Sequence, residues 1–412
     1  MPTRDATAPD RSTLRHARNL RNHHLVRSVA LTLTAVLAFG AGGLATAYSR
    51  FQGNIASADV TDLLGADRPT PSATHDPDDP SSGSPVTILL MGSDVRDGAN
   101  GAIGGSVAGM RSDTTIVLHI SANRKRVELV SIPRDSHVQI PACTMTNGKT
   151  SRPQGERFNA AFAIGADTGG DTASAAACAI KTVESLTGVR IDGFVVVDFV
   201  GFIRMVDALG GVPICIPNAM SSPKAGLTVK AGYQTLDGTT ALAYARARTG
   251  TGVGDGSDTN RIGRQQELLA ATAREVLSKN LLTDVGQLLR FLDAATSSVT
   301  ANPELASIAN LAGLAFSLKD IPSGNITFMT VPFSSYAPDP NQVVWTRAAT
   351  TIWANMASDQ PVAPTTGQPG STEAGTAPAT SSGTAGATPS TAETKMAGKE
   401  AFTPDDITAV CG

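Results

Sequence analysis

No two cysteines in this chain are spaced C-x-x-C, which sets aside the usual zinc sites. Neither sign of charge dominates: the formal net charge is −3 over 412 residues, which argues against non-specific nucleic-acid binding. No Ser-His-Asp or Cys-His arrangement stands out. His119 falls inside an expected strand and His137 just after one, so each reads as a core or surface residue. The glycine-rich stretch from Gly98 to Gly109 lacks the lysine and spacing of a phosphate-cradling nucleotide loop. No internal repeat is found. The most informative lack is local: no charged side chain occurs from Val29 to Tyr48.

As a helix, that uncharged run rises about 30 Å, enough to cross a bilayer core. Arg4, Arg11, Arg15, Arg18, Arg21 and Arg27 precede it, against Asp5 and Asp10. The bias predicts a cytoplasmic N-terminus and an extracytoplasmic remainder. A cleaved signal is the rival reading, since Ala45-Thr46-Ala47 fits a small-x-small site. The apolar core is longer than the ~7–15 residues usual for signals, which favours an uncleaved anchor.

Boundaries follow from composition. Residues 1–28 are a cytoplasmic basic segment, 29–48 a transmembrane helix and 49–84 a stalk. Its second half is rich in Pro, Ser and Asp. Residues 85–360 form the folded domain. Residues 361–412 are a low-complexity tail of Thr, Ala, Gly, Ser and Pro that ends near Cys411. Cys143, Cys178, Cys215 and Cys411 all lie beyond the anchor, where disulfides can form. Four cysteines allow three pairings, between which sequence does not choose. Cys143–Cys178 with Cys215–Cys411 is the working expectation: the first would close a local loop, the second would tie down the tail.

Inside the domain, Val86 to Met91 is a short apolar run stopped by Gly92, a buried-strand pattern. Thr114 to Ile120 and Val127 to Ile132 read as a hairpin turning at 123–126. Helical patterns occupy 172–187, 199–208, 236–244 and 262–279, and 194–198 and 326–331 read as strands. Strands mixed with helices predict an α/β/α sandwich around a mixed sheet.

Charge placed at strand ends is the unusual feature. Asp94 and Arg96 follow the first strand, Arg111 and Asp113 precede the second, and Arg134 and Asp135 follow the third. The hairpin brings Arg111, Asp113, Arg134 and Asp135 to one sheet edge. Two carboxylates with open positions suit Mg²⁺; structural ion pairs would look the same. Arg246 and Arg248, two apart, would share a face of an extended chain and could grip phosphates, although a solvated basic turn reads equally well. Asp258, Arg261, Arg264, Gln265 and Gln266 form a third cluster. Arg261 with Gln265, and Arg261 with Arg264, share a helix face. Arg261 in a first helical turn is unfavourable alone and reasonable beside a phosphate. Arginines with carboxylates point to phosphoryl chemistry.

These residues lie in ILLMGSDVR (88–96), RSDTTIVLHI (111–120), VSIPRDSHVQIP (130–141), RFNAAFAIG (157–165), VVVDFVGFIRMVDALGGVPICIP (195–217), LDGTTALAYARAR (236–248) and DTNRIGRQQELLAA (258–271). In that order they resemble the LytR-CpsA-Psr (LCP) family of cell-envelope glycopolymer phosphotransferases, of actinobacterial type. The resemblance implies transfer of a glycopolymer from a polyprenyl-pyrophosphate carrier to a hydroxyl on peptidoglycan or a cell-wall protein. It implies Mg²⁺, or Mn²⁺ in its place, on Asp94 and Asp113. Arg111, Arg134, Arg246, Arg248, Arg261 and Gln265 would surround the pyrophosphate, with Arg134 and Asp258 catalytic, Asp258 as proton acceptor or orienter. It also implies an apolar lipid cavity, for which Phe199, Phe202, Ile203, Leu288, Leu289, Phe291, Leu311, Leu314 and Phe316 are candidates, each equally a core residue. TGTGVGDG at 249–256 and the 97–109 loop depart from the family pattern at the site rim. The alternatives are a polyprenyl-pyrophosphate hydrolase using water, a non-catalytic scaffold for lipid-linked glycan, and a transcriptional regulator. The expected topology and the lack of a helix-turn-helix pattern speak against the last.

Overall fold

The computed structural model describes residues 13–71, 83–94, 100, 110–278, 285–363 and 395–406. Arg96, most of the 97–109 loop and Cys411 lie outside them. The chain divides into two units, Met1–Gly53 and Asn54–Gly412.

The N-terminal unit is helical: one helix runs Thr13–Asn54. Its His24–Asn54 portion is long and apolar enough to cross a membrane, and its most apolar 18-residue window is unburied. Leu25, Val29, Leu33, Leu37 and Phe39 are all exposed large apolar groups, as a lipid-facing helix requires.

The second unit is built on a seven-stranded mixed sheet. From one edge its strands are Ala56–Ser57, Val299–Ala301, Gly193–Val197, Val86–Ser93, Ser112–Ile120, Val127–Ile132 and Ile326–Thr330. Val86–Ser93, Ser112–Ile120 and Val127–Ile132 pair antiparallel in succession, so the expected hairpin is present. Gly193–Val197 and Ile326–Thr330 join in parallel, which makes the sheet mixed.

Alternation explains the two packed faces. Leu89, Met91, Val117, Val130 and Ile132 face the helices Asn159–Gly169, Thr172–Thr187 and Arg347–Ala357. Ile116, Ile120, Leu129 and Phe328 face the opposite way, against Ala270 of the Asp258–Ser278 helix. Every residue of Val127–Ile132 is buried, as a central strand covered on both sides requires. This is the α/β/α sandwich. A third cluster, with Val206, Ile214, Tyr244 and Leu268, joins the Phe199–Ala208, Gly238–Arg246 and Asp258–Ser278 helices. Asp171, Asp198 and Asp237 cap helices by accepting the N–H groups of Ser174, Gly201 and Thr240.

The folded unit reaches beyond 85–360 on both sides. In the expected stalk, Val60 and Leu64 are buried in the main core, and Arg68 Nη2 lies 2.6 Å from Glu184 Oε1. In the expected tail, Val362 and Phe402 are buried, and Phe402 exchanges backbone hydrogen bonds with Phe328. Composition averaged these docked residues into their polar surroundings. The 143–178 disulfide is formed, and Cys215 is also disulfide-bonded; its expected partner Cys411 lies outside the described residues.

Candidate active site at the strand ends

A bulge makes the site. Gly92 pairs with Thr114 and Ser93 with Ser112, so Asp113 is the extra residue between them. A bulge re-aims a side chain, and Asp113 Oδ1 accepts from Arg134 Nη1 at 2.6 Å. Arg134 sits just past Pro133, where the Val127–Ile132 strand stops. Its Nε is 3.4 Å from Asp135 Oδ2 and 4.0 Å from Asp258 Oδ1. Burial opposes ionisation of Asp113, but the Arg134 and Arg261 charges outweigh it and hold the carboxyl below its usual range. Burial likewise works against the Arg134 charge, and Asp113 outweighs it, holding Arg134 above its ordinary value.

The Asp258–Ser278 helix brings the next groups. Arg261 is almost wholly buried; its Nη2 is 2.6 Å from Asp258 Oδ1 and donates to Asp113 O at 3.1 Å. Burial, the largest influence, lowers the Arg261 pKa. Arg264 turns away from the site and donates to Tyr244 O at 3.2 Å, Val253 O at 2.8 Å and Ala247 O. Gln265 Nε2 donates to Ala245 O at 3.3 Å. These two residues therefore hold the 244–253 backbone in place. Arg248, presented by that backbone, has its Nη2 3.2 Å from Asp258 Oδ1 and 3.6 Å from Asp135 Oδ2.

Arg246 and Arg248 do not lie on one extended stretch. Arg246 ends the Gly238–Arg246 helix, and its guanidinium stacks over Phe199, 4.4 Å from the ring centroid. The Ala-Leu-Ala run favours helix, which separates the two arginines. Arg111 is exposed, with its backbone paired to Asp94: Asp94 N donates to Arg111 O at 2.9 Å, and Asp94 Oδ1 accepts from Arg111 N at 2.5 Å.

Arg157 was not singled out from sequence. It ends the Gln154–Arg157 strand, opposite His137, and its Nη1 lies 3.5 Å from Asp135 Oδ1. That pairing register carries no local sequence signal. Arg134, Arg157, Arg248 and Arg261 thus share three carboxylates, Asp113, Asp135 and Asp258. Within this cluster Arg248 Nε, Arg261 Nε and Asp258 Oδ2 are buried without a hydrogen-bond partner among the described residues. Each such group costs about 1–3 kcal/mol, so three in one place make this cluster the candidate ligand-binding centre.

Asp94 and Asp113 offer hard carboxylate oxygens, the donor type Mg²⁺ prefers. Asp94 is buried beside the bulge. Asp113 Oδ2 lies 4.0 Å from Arg261 Nη1, outside hydrogen-bond range. Mg²⁺ commonly takes one or two carboxylates and completes its shell with water and phosphate; Asp94 and Asp113 are the carboxylates that would supply them here. Among the described residues no group of three or more His, Cys, Asp or Glu could hold a metal ion, so the protein would supply only part of the shell.

Of the lipid-cavity candidates, Phe202 packs against the third core cluster and Leu314 beside the Ala270 cluster. The Phe199–Ala208 and Val285–Thr296 helices pack together. Leu289 and Phe316 are exposed, and the side chain of Leu288 is outside the described residues.

Residues 47–358 match the LytR_cpsA_psr family model. The chain is 32% identical over 267 residues to the cell wall biosynthesis protein LcpA of Corynebacterium glutamicum, covering 60% of this chain and 50% of that protein. It is 33% identical over 207 residues to the polyisoprenyl-teichoic acid–peptidoglycan teichoic acid transferase TagU of Oceanobacillus iheyensis, covering 50% and 56%. The chain thus spans about half the length of these curated relatives. A LytR-Csp2A-Psr enzyme from Actinomyces oris shares the fold, with a TM-score of 0.50 at 19% identity over 74% of this chain and 96% of that one.

Proposed function

The chain belongs to the LytR_cpsA_psr family, and on that premise we propose that it transfers a cell-wall glycopolymer from a polyprenyl-pyrophosphate carrier to a hydroxyl of peptidoglycan or a cell-wall protein. The observation that carries this reading is the convergence of four arginines on three carboxylates, with Arg248 Nε, Arg261 Nε and Asp258 Oδ2 left buried and unpartnered. Two orphaned N–H donors ask for an anion. One orphaned carboxylate oxygen asks for a proton donor. A pyrophosphate and an attacking hydroxyl supply both. The relatives' printed names, cell wall biosynthesis and teichoic acid transfer to peptidoglycan, support the substrate class.

The acceptor oxygen attacks the glycan-side phosphorus. The bond from that phosphorus to the bridging oxygen breaks, and polyprenyl phosphate leaves. Asp258 Oδ2 takes the hydroxyl proton, while Asp258 Oδ1 stays clamped by Arg261 and Arg248. Arg134, set by Asp113, holds the transferred phosphate; Arg248 and Arg261 bear charge growing on the leaving phosphate. Planar guanidinium forks suit phosphate oxygens, and fixed charge aimed at a developing anion is commonly the largest catalytic contribution. Mg²⁺ on Asp94 and Asp113 would add neutralising charge at the pyrophosphate oxygens. The apolar N-terminal helix supports a membrane-held enzyme working outside the cytoplasm on a lipid carrier.

The test is incubation of the full chain with a polyprenyl-pyrophosphate glycan and peptidoglycan. Covalent attachment of glycan with release of polyprenyl phosphate is expected. Free glycan phosphate without attachment would make the protein a hydrolase, and binding alone would make it a scaffold.

A further inference from the structure

The segment Lys395–Asp406 lies beyond the family-matched residues, which end at 358, yet it touches the helix that carries Asp258 and Arg261. We propose that this segment is a working part of the active site: it sets the position of the Asp258–Ser278 helix through Gln266, which makes Gln266 and Gly398 positioning residues. The proposal rests on the functional reading above.

Gln266 is wholly buried and fully engaged. Its Nε2 donates to Ser131 Oγ at 2.8 Å, Met329 O at 2.9 Å and Thr330 Oγ1 at 3.2 Å, and its Oε1 accepts from Gly398 N at 3.0 Å. One amide therefore ties the site helix to the strand that leads into Arg134, to the neighbouring strand and to the C-terminal segment. The approach is close enough to need glycine on both sides. A Cβ on Gly398 would lie 2.6 Å from Thr259 O and 2.8 Å from Gly263 N, and one on Gly263 would lie 2.5 Å from Ala397 O. Gly398 also has φ +84°, a conformation that disfavours side chains.

The segment is anchored at its far end by Phe402, whose ring stacks on Phe328 with centroids 5.4 Å apart. Phe402 N and Phe328 N each donate to the other's carbonyl, at 3.0 and 2.8 Å. The Phe402 side chain is buried against the sheet, in the same cluster as Phe328 and Ala270. Thr259 lies between Asp258 and Arg261 in sequence, so Gly398 presses on the turn that carries both groups. Displacing that turn by about 1 Å would cost on the order of a hundred-fold in rate.

The experiment uses the full chain with Gly398→Val, which blocks the approach, and Gln266→Met, which keeps volume but removes the hydrogen bonds. Turnover on a polyprenyl-pyrophosphate glycan is expected to fall roughly ten- to a hundred-fold. The KM for the peptidoglycan acceptor should be unchanged, and amide hydrogen exchange should rise within 258–268. Should Gly398→Val fail to fold, Gln266→Met decides alone. Folded Gln266→Met with wild-type turnover and wild-type exchange at 258–268 overturns the proposal. Should the wild-type chain transfer nothing, the functional reading fails; the exchange measurement still decides whether the segment positions this helix.

Discussion

Arg134 Nη1 and Asp113 Oδ1 lie 2.6 Å apart because a β-bulge turns Asp113 out of the strand ladder just where Pro133 ends the neighbouring strand. Around this pair the remaining charges alternate, with Asp135 and Asp258 between Arg157, Arg248 and Arg261. Three buried polar atoms of this cluster, Arg248 Nε, Arg261 Nε and Asp258 Oδ2, have no hydrogen-bond partner among the described residues.

Removing either carboxylate proposed to hold Mg²⁺ should abolish most turnover without unfolding the domain. Asp94→Asn and Asp113→Asn are each expected to weaken Mg²⁺ binding, measured by calorimetry with pyrophosphate present. Wild-type Mg²⁺ affinity and turnover in both variants would remove the metal from these residues.

The opposite end of the sheet carries a pH-dependent contact. Asp359 accepts from Ala122 N at 3.0 Å and Arg126 Nη2 at 3.0 Å, and its Oδ1 lies 3.0 Å from His119 Nε2. Burial opposes its ionisation, but the His119 contact, the Ala122 N–H and Arg126 outweigh it, so its pKa is lowered from 3.8. A lowered carboxylate pKa stabilises the fold fully above the unfolded value and is lost as pH falls through the folded one. Asp359→Asn, which tolerates the residue's φ of 54°, should therefore melt below wild type at pH 7. The gap should close below pH 3.8. A gap independent of pH would show that the charge contributes nothing.

Non-reducing peptide mapping should find Cys143 joined to Cys178 and Cys215 joined to Cys411. Replacing the first pair by alanine should cost about 2–4 kcal/mol of stability, the range for closing a loop of this kind. Four alkylatable thiols in protein taken from the cell surface would contradict it.

Fusing a reporter active only outside the cytoplasm after residue 84 should give signal in the membrane fraction. A soluble secreted form starting near Tyr48 would show that the N-terminal helix is a cleaved signal.

Several parts of this picture are legible in the sequence for identifiable reasons. The β-branched runs at Thr114–Ile120 and Val127–Ile132 fix a hairpin, and a hairpin brings Asp113 and Arg134 to one sheet edge. The helical patterns at 172–187 and 199–208 match the helices Thr172–Thr187 and Phe199–Ala208. The bulge at Asp113 is not legible, because it depends on how two strands slip past each other. Arg157 is missed for the same reason: its approach to Asp135 follows from the register with His137. Arg246 and Arg248 part because a helix extends through Arg246. The docking of Phe402 is hidden in a tail dominated by Thr, Ala, Gly, Ser and Pro, since one aromatic is enough to seat it only when Phe328 is there to meet it.

The most direct test of the central claim is single-turnover transfer and melting temperature measured on one sample of Arg134→Lys. Lysine keeps the charge and loses the planar fork. Transfer is expected to fall roughly ten- to a thousand-fold, the scale of losing one preorganised charge-stabilising donor. The melting temperature should change little, since the Asp113 partner is more than a third exposed and such pairs contribute about 1 kcal/mol or less. Unchanged transfer, or a large loss of stability accompanying the loss of activity, would contradict the account.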